Sequence, residues 1–466
     1  MTASNMSQFD AEDPRRYRSL IKAAEDHDDL FKALYVDHDD RMDSVAGLRR
    51  RRRSASNSPD GNILAASLVE ENGVLRWYDG VPAREEAPQR RRRARRAGGP
   101  PPLPDQTVVL IKEFPRLQPN RAAAAIGAID MRLNSAIGVS LQSHLRQLRG
   151  GPRKFVIDAN DVHGPFKGRT LLLVHGTFSN AVNMVGEFEA TTDGQAFLNA
   201  ALNGPDKYDQ VLVFEHATLA VSPVLNALEL GRAFSGATGA VHVIAHSRGG
   251  LIVRWWLEAF GAALKAETRV VFAGSPLYGT SLAAPDKLQH ALSLISNIGT
   301  FAEKTLTLVG AANPFLWVAG KLVEVVMTVT GTLAHTPLLD GLIALVPGLF
   351  GQSQISNNYE LNLLRLGPCT TQPAYFVVKS NFATVDPGWQ FWKNFRALRG
   401  ADLAADQIFP GDNDLVVDTG SMTNLGETDF PLKILDIEDF GNDPEVWHCN
   451  YFRQKRTIDF IRRNLP

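Results

Sequence analysis

The stretch "AVHVIAHSRGG", Ala240–Gly250, decides the fold. It opens as a short apolar run, then delivers His246, Ser247, Arg248 and two glycines together. A short apolar run without polar alternation suits a strand buried on both faces. The continuation, "GLIVRWWLEAF", has the spacing of a helix. Ser247 therefore sits where the chain turns from strand to helix. Strand and helix must pass closely there, so the residues two before and two after the serine must be small. They are Ala245 and Gly249. This is the G-x-S-x-G nucleophile-elbow pattern, with alanine in the first place.

Other runs of the same texture surround it: "TLLLVHG", "QVLVFEH", "RVVFAGSP" and "AYFVVKSN". The intervals between them are helix-sized, as in "SPVLNALELGRAF". Alternation of buried strands with helices predicts an α/β fold, a mostly parallel central sheet flanked by helices. Further upstream, "TVVLIKEF" and "KFVIDANDVHG" read as strands. The segment "RAAAAIGAIDMRLNSAIGVSLQSHLRQL" reads as one helix, stopped by Gly150-Gly151.

Residues 1–105 differ in character. Arg49 to Arg53 form an unbroken run, and a second basic cluster spans Arg90 to Arg96. Such runs repel themselves, so a charged, largely disordered N-terminal extension is expected. Inside it, "ILAASLVEENGVLRWYDG" suits a small hairpin around Asn72-Gly73. The arginine runs also suit contact with anionic lipid or nucleic acid. The solvated reading ranks first, because no aromatic platform is interleaved with them. The α/β domain is expected over 106–466. Residues 282–358 interrupt it with apolar helical candidates, among them "PFLWVAGKLVEVVMTVTGTLA", broken by Lys321 and Glu324. We expect a helical lid or cap there.

The 466 residues carry a net charge of -1, which gives no global reason to expect a polyanionic partner. Cys369 and Cys449 are too few for a disulfide framework and lack a zinc spacing. No HExxH run or carboxylate cluster argues for a metal, and no cofactor is expected. The first residues lack an apolar core, so the expected location is cytoplasmic, with peripheral membrane contact allowed.

A serine hydroxyl needs a base, the base needs an orienting carboxylate, and a developing oxyanion needs N–H donors. The Arg248 amide, beside the serine, is one donor candidate. The Thr177 amide, after "LLLVHG", is the other, since Gly176 lets the backbone bend close. His448, in "VWHCNYF" after the last strand "PLKILDIED", is the base candidate. "GDNDLVVDTGSM" offers Asp412, Asp414 and Asp418. Asp414 ranks first because it leads into the apolar "LVV". Asp412 is second and Asp386 third. Phe178, Phe315 and Trp317 are the expected substrate-binding side chains. His216, His242 and His246 have structural roles in this reading, and Cys449 is a small buried hydrophobe rather than a partner of His448.

These motifs together resemble the α/β-hydrolase superfamily, near lipases with an HSxG elbow. "HGTF" resembles their oxyanion loop, "AHSRGG" their elbow, "GSPLYGTSLA" their GTPHxGS segment, and "DLVVDTGS" their acid loop. The order Ser247, Asp414, His448 is that family's order. "EHATLAVSPVLNALEL" with "HSRGGL" is more narrowly similar to lipase-like domains of bacterial multidomain proteins. The likeness covers roughly Phe155 to Pro466; Ala245 replaces the first glycine and Leu277 a frequent histidine. It implies a serine hydrolase of carboxylic esters, acting on a small-molecule or lipid ester. Thioesterase or acyltransferase chemistry would use the same residues. The rival expectation is a catalytically idle interaction or membrane-docking module. The oligomeric state is left open.

Overall fold

The computed structural model describes residues 63–71, 74–79, 106–115, 122–133, 141–151, 154–283, 322, 346–354, 358–366, 369–382, 411–426 and 431–466. Both arginine runs, Asp386, Phe315, Trp317 and nearly all of the expected lid lie outside these residues. The chain divides into two units. One comprises Met1–Ala122, Gln289–Thr336 and Asp386–Asp406; the other comprises Ala123–Leu288, Pro337–Val385 and Gln407–Pro466.

In the first unit, β1 (Ile63–Glu71), β2 (Val74–Asp79) and β3 (Gln106–Pro115) form an antiparallel sheet in the order β2-β1-β3. Glu71 pairs with Val74, which leaves two residues between the strands, as a hairpin there requires. Leu68, Val69, Leu75 and Trp77 are buried. Because β1 pairs with β3, this sheet takes strands from both sides of residue 105.

The second unit holds an eight-stranded sheet. Its strands are β4 (His144–Gly151), β5 (Lys154–Asp161), β6 (Arg169–Val174), β7 (Gln210–Glu215), β8 (Ala240–His246), β9 (Glu267–Ala273), β10 (Ala374–Phe382) and β11 (Ile434–Asp443). They lie in the order β5-β4-β7-β6-β8-β9-β10-β11. Only β4 runs against its neighbours; the other pairings are parallel. Successive side chains of a strand face opposite ways. On β6, Leu172 and Val174 join one apolar core with α4 (Pro223–Ala233) and α5 (Gly249–Ala259). Leu171 and Leu173 join the opposite core with α2 (Ala181–Glu189), α3 (Thr192–Asn203) and the terminal α6 (Lys455–Asn464). Burying each such side chain is worth about 1.5–3 kcal/mol, which is why β6 carries no polar alternation. This is the mostly parallel central sheet flanked by helices that the sequence led us to expect.

One expectation fails. The segment read as a single helix is two elements, α1 (Ala122–Leu133) and strand β4. Leu145 and Leu148, three apart, enter opposite cores, as odd spacing requires of a strand. Pairing with β5 and β7 overrides the helical propensity of "SHLRQL".

Among the described residues no helix is long and apolar enough to cross a membrane. The sheet positions the site through its strand order. From β6 the chain moves to β7 on one side, then returns to β8 on the other. Loops leaving the carboxyl ends of β6 and β8 diverge at such a switch point and leave a crevice where open α/β sheets bind ligands.

Candidate active site

Ser247 follows β8 directly and has φ +54, a left-handed conformation that costs a non-glycine residue about 1–3 kcal/mol. Two residues later α5 has begun. A Cβ at Gly249 would stand 2.5 Å from the Val174 carbonyl oxygen, and one at Gly250 would stand 2.5 Å from Ser275 Cβ. The sharp turn therefore exists only with glycine after the serine. Gly249→Ala should lower stability by about 1–3 kcal/mol, read as a lower urea midpoint at unchanged slope. An unchanged midpoint would show that the helix can back away from β6.

Ser247 Oγ lies 2.9 Å from His448 Nε2. His448 Nδ1 lies 2.8 Å from Asp414 Oδ2. Serine, histidine and aspartate are all buried, 3, 3 and 0% exposed, so their mutual hydrogen bonds act with little screening. Asp414 Oδ1 accepts the Val416 and Val417 amides at 3.1 and 2.8 Å. The Asp414 carbonyl accepts the His448 amide at 3.1 Å, so the acid loop also holds the histidine backbone. Asp412 is exposed, and Asp418 turns to Ser281, accepting its amide at 3.0 Å. Of the described aspartates offered by this loop, only Asp414 meets the histidine.

Gly176 brings the loop after β6 against the elbow: a Cβ there would stand 2.6 Å from Ser247 Cβ. Among the described residues the Thr177 and Arg248 amides donate no backbone hydrogen bond. Phe178 follows Thr177 with φ +58 and is buried. This loop is pinned at several points. His175 Nε2 lies 3.0 Å from Glu215 Oε1, and Glu215 Oε2 accepts the Ala181 amide at 2.8 Å. Gln352 Nε2 donates to Thr177 Oγ1 at 2.9 Å and to the Gly348 carbonyl at 2.8 Å.

The other histidines are bound elsewhere. His246 Nε2 donates to the His448 carbonyl at 2.7 Å; burial and then the neighbouring His448 push its pKa down to about 3, so it is neutral. His242 Nδ1 meets Tyr208 Oη at 2.8 Å, and burial brings its pKa down to about 4. His216 stacks on His175 at 3.9 Å and is held neutral by burial.

Several residues of this neighbourhood escaped the sequence reading. The Arg248 side chain is wholly buried and donates to the Val221 carbonyl at 2.6 Å and Asn226 Oδ1 at 2.8 Å. Burial pushes its pKa down to about 10, against the opposing pull of Asp130 and then Glu360. Asp130, on α1, accepts the Thr218 and Leu219 amides at 2.9 and 2.8 Å. A single charge inside the apolar run "AAAAIGAID" was the available signal for that contact. Tyr451, Gln352 and Glu215 carried no signal, because only the assembled sheet brings them to the site.

Chemically, the arrangement can draw a proton from a serine hydroxyl into a buried imidazole whose tautomer a carboxylate fixes.

A family model described as a domain of unknown function, DUF7379, matches residues 146–466. No curated protein matches. Among solved structures the chain is similar to the lipase BlEst2 from Bacillus licheniformis in its mature form, at 13% identity and a TM-score of 0.31, covering 64% of this chain and 89% of that one. It is similar to lipase 1 from Pelosinus fermentans at 14% identity and a TM-score of 0.36, covering 61% and 94%. It is also similar to the NocB thioesterase domain, in covalent complex with a fluorophosphonate nocardicin G analogue, at 15% identity and a TM-score of 0.30, covering 65% and 96%.

Proposed function

The chain belongs to the DUF7379 family, domains of unknown function, and from the chemistry of its buried serine we propose that it hydrolyses carboxylic esters of lipophilic acids. The observation that carries this reading is the unbroken hydrogen-bonded series from Ser247 Oγ through His448 to Asp414 at a strained elbow.

Ser247 Oγ attacks the acyl carbon, and His448 Nε2 takes its proton. The carbonyl π pair moves to the oxygen, and the Thr177 and Arg248 amides stabilise that oxyanion. As the tetrahedral adduct collapses, the imidazolium returns the proton to the leaving alkoxide, which departs as the alcohol. Water then repeats the sequence on the acyl-enzyme, giving the free acid and restoring Ser247. Asp414 keeps the proton on Nδ1, so that Nε2 can accept.

The lipophilic preference rests on the apolar composition of 282–358 and on Phe178, buried next to Thr177 in the loop after β6. Each methylene moved from water to an apolar wall is worth about 0.8 kcal/mol, roughly fourfold in kcat/KM. Across a panel of p-nitrophenyl esters, kcat/KM should therefore rise from acetate to medium chains and then level off. Ser247→Ala is the control. A best rate on acetate would remove the lipophilic preference. Turnover of thioesters but not oxygen esters would reassign the substrate class. Absence of both turnover and fluorophosphonate labelling would leave an idle hydrolase fold.

A further inference from the structure

Asp414 receives more than the base. Its Oδ2, which meets His448 Nδ1 at 2.8 Å, also accepts the phenol of Tyr451 at 2.9 Å. Tyr451 lies in a short helical turn, Tyr451–Arg453, three residues after His448. It is 1% exposed, and its ring belongs to the core beneath β9 and β10, with Val271 and Val378. Its oxygen also touches Met422 Sδ at 3.9 Å. A buried hydroxyl is costly unless it is hydrogen-bonded, so this O–H is committed to the carboxylate. Gly274 makes room for the group: with φ +53, a Cβ there would stand 2.6 Å from the tyrosine ring and 3.0 Å from Asp414 Oδ2.

We propose that Tyr451 is a positioning residue that sets the basicity of His448 by sharing the carboxylate oxygen that faces the imidazole. The shared donor offsets part of the negative charge on Asp414. A carboxylate so engaged stabilises the imidazolium less than one that faces the histidine alone. Removing the hydroxyl therefore raises the pKa of His448. Neutral His448 is the form that takes a proton from Ser247, so the acid limb of reactivity moves to higher pH.

The other charged and titratable groups nearby stay in place when only that hydroxyl is removed. His246, at the end of β8, is neutral and its ring lies 4.8 Å from that of His448. Asp418, on the acid loop, is held by Ser281. The Cys449 thiol is pushed well up by burial and stays protonated. Glu187 on α2 pairs with Arg453 at 2.7 Å, and Asp439 on β11 pairs with Lys379 at 2.9 Å.

The proposal rests on the hydrolase reading for its kinetic arm alone, and two measurements on the full chain separate the two. The first is the pH dependence of the fluorophosphonate labelling rate, for the natural chain and Tyr451→Phe. The variant keeps the buried ring and lacks only the oxygen. Its acid limb should move up by about 1 pH unit, so that labelling well below both midpoints is roughly tenfold slower. The second is the His448 ring titration followed by NMR in both proteins, with the resonance identified by its loss in His448→Gln. The same upward shift is expected there. If neither protein is labelled while His448 still shifts, the hydrolase reading fails and the role of Tyr451 stands. If His448 titrates identically in both, or shifts downward, Tyr451 is only a packing residue and the proposal is overturned. A variant with lowered plateau rates but an unmoved acid limb overturns it equally.

Discussion

Ser247→Ala is expected to lower ester turnover by at least about 10³-fold and to abolish fluorophosphonate labelling. At φ +54, between β8 and α5, the side chain rises from the turn toward His448 Nε2, 2.9 Å away. Removing Oγ deletes the atom that would bond to the acyl carbon and leaves the imidazole nothing to deprotonate except water. The Thr177 and Arg248 amides would remain, so a residual rate above the uncatalysed one is expected. The fold should persist, because the Ser247 backbone bonds do not involve the side chain: its amide donates to the Ala273 carbonyl at 3.0 Å, and its carbonyl accepts from Gly250 at 2.9 Å. A companion variant tests the strain itself. Ser247→Gly should be equally inactive yet more stable by about 1 kcal/mol, since glycine adopts positive φ freely and loses only part of that gain to its more flexible unfolded chain. Thermal unfolding of the two variants decides it. Full labelling of folded Ser247→Ala would move the nucleophile elsewhere, and a Gly variant less stable than Ala would show that the elbow is unstrained.

Much of this site was legible in the sequence because the chemistry forces local patterns. Ala245, Ser247 and Gly249 are readable because the strand-to-helix turn tolerates nothing larger: a Gly249 Cβ has a carbonyl oxygen 2.5 Å away. His448 and Asp414 are readable because each follows a strand, β11 and β10, in chain order. The buried strands announced themselves for the same reason: both faces of β6 meet apolar cores. What was not legible depends on contacts far apart in sequence. "SHLRQLRGG" contains good helix formers, and it becomes β4 only because β7 and β5 offer hydrogen bonds on both sides. Tyr451 is one aromatic among several in "HCNYF", and its approach to Asp414 spans 37 residues of chain. Gln352 reaches Thr177 across 175 residues. Arg248 was legible as a backbone donor but not as a buried cation, since nothing local announces that Asp130 lies behind the elbow.

Asp414→Asn should cost far more turnover than Asp412→Asn, about 10⁴-fold against nearly none. The two carboxylates stand two residues apart, and the structure separates them by burial and by partners. Asp412 is exposed; its backbone carbonyl accepts the Thr419 amide at 2.8 Å, and the substitution keeps that bond. Asp414 is fully buried, and each of its oxygens has assigned work. Oδ1 accepts two backbone amides, Val416 and Val417, so an asparagine there must keep its carbonyl oxygen on that side. Its NH₂ group then lands where Oδ2 accepted from His448 Nδ1 and from the Tyr451 phenol. An N–H facing another N–H is unfavourable, so His448 must present a lone pair at Nδ1 and carry its proton on Nε2. That proton points at Ser247 Oγ, and the imidazole can no longer accept the proton that the serine must lose. The variant also lacks the charge that stabilises the imidazolium, so the remaining correct tautomer is a poorer base. The loss should appear in kcat and in the fluorophosphonate labelling rate alike, with KM little changed, because substrate contacts are untouched. Equal effects of the two substitutions in folded proteins, or a larger effect at Asp412, would mean that the carboxylate facing His448 is not the one that orients it.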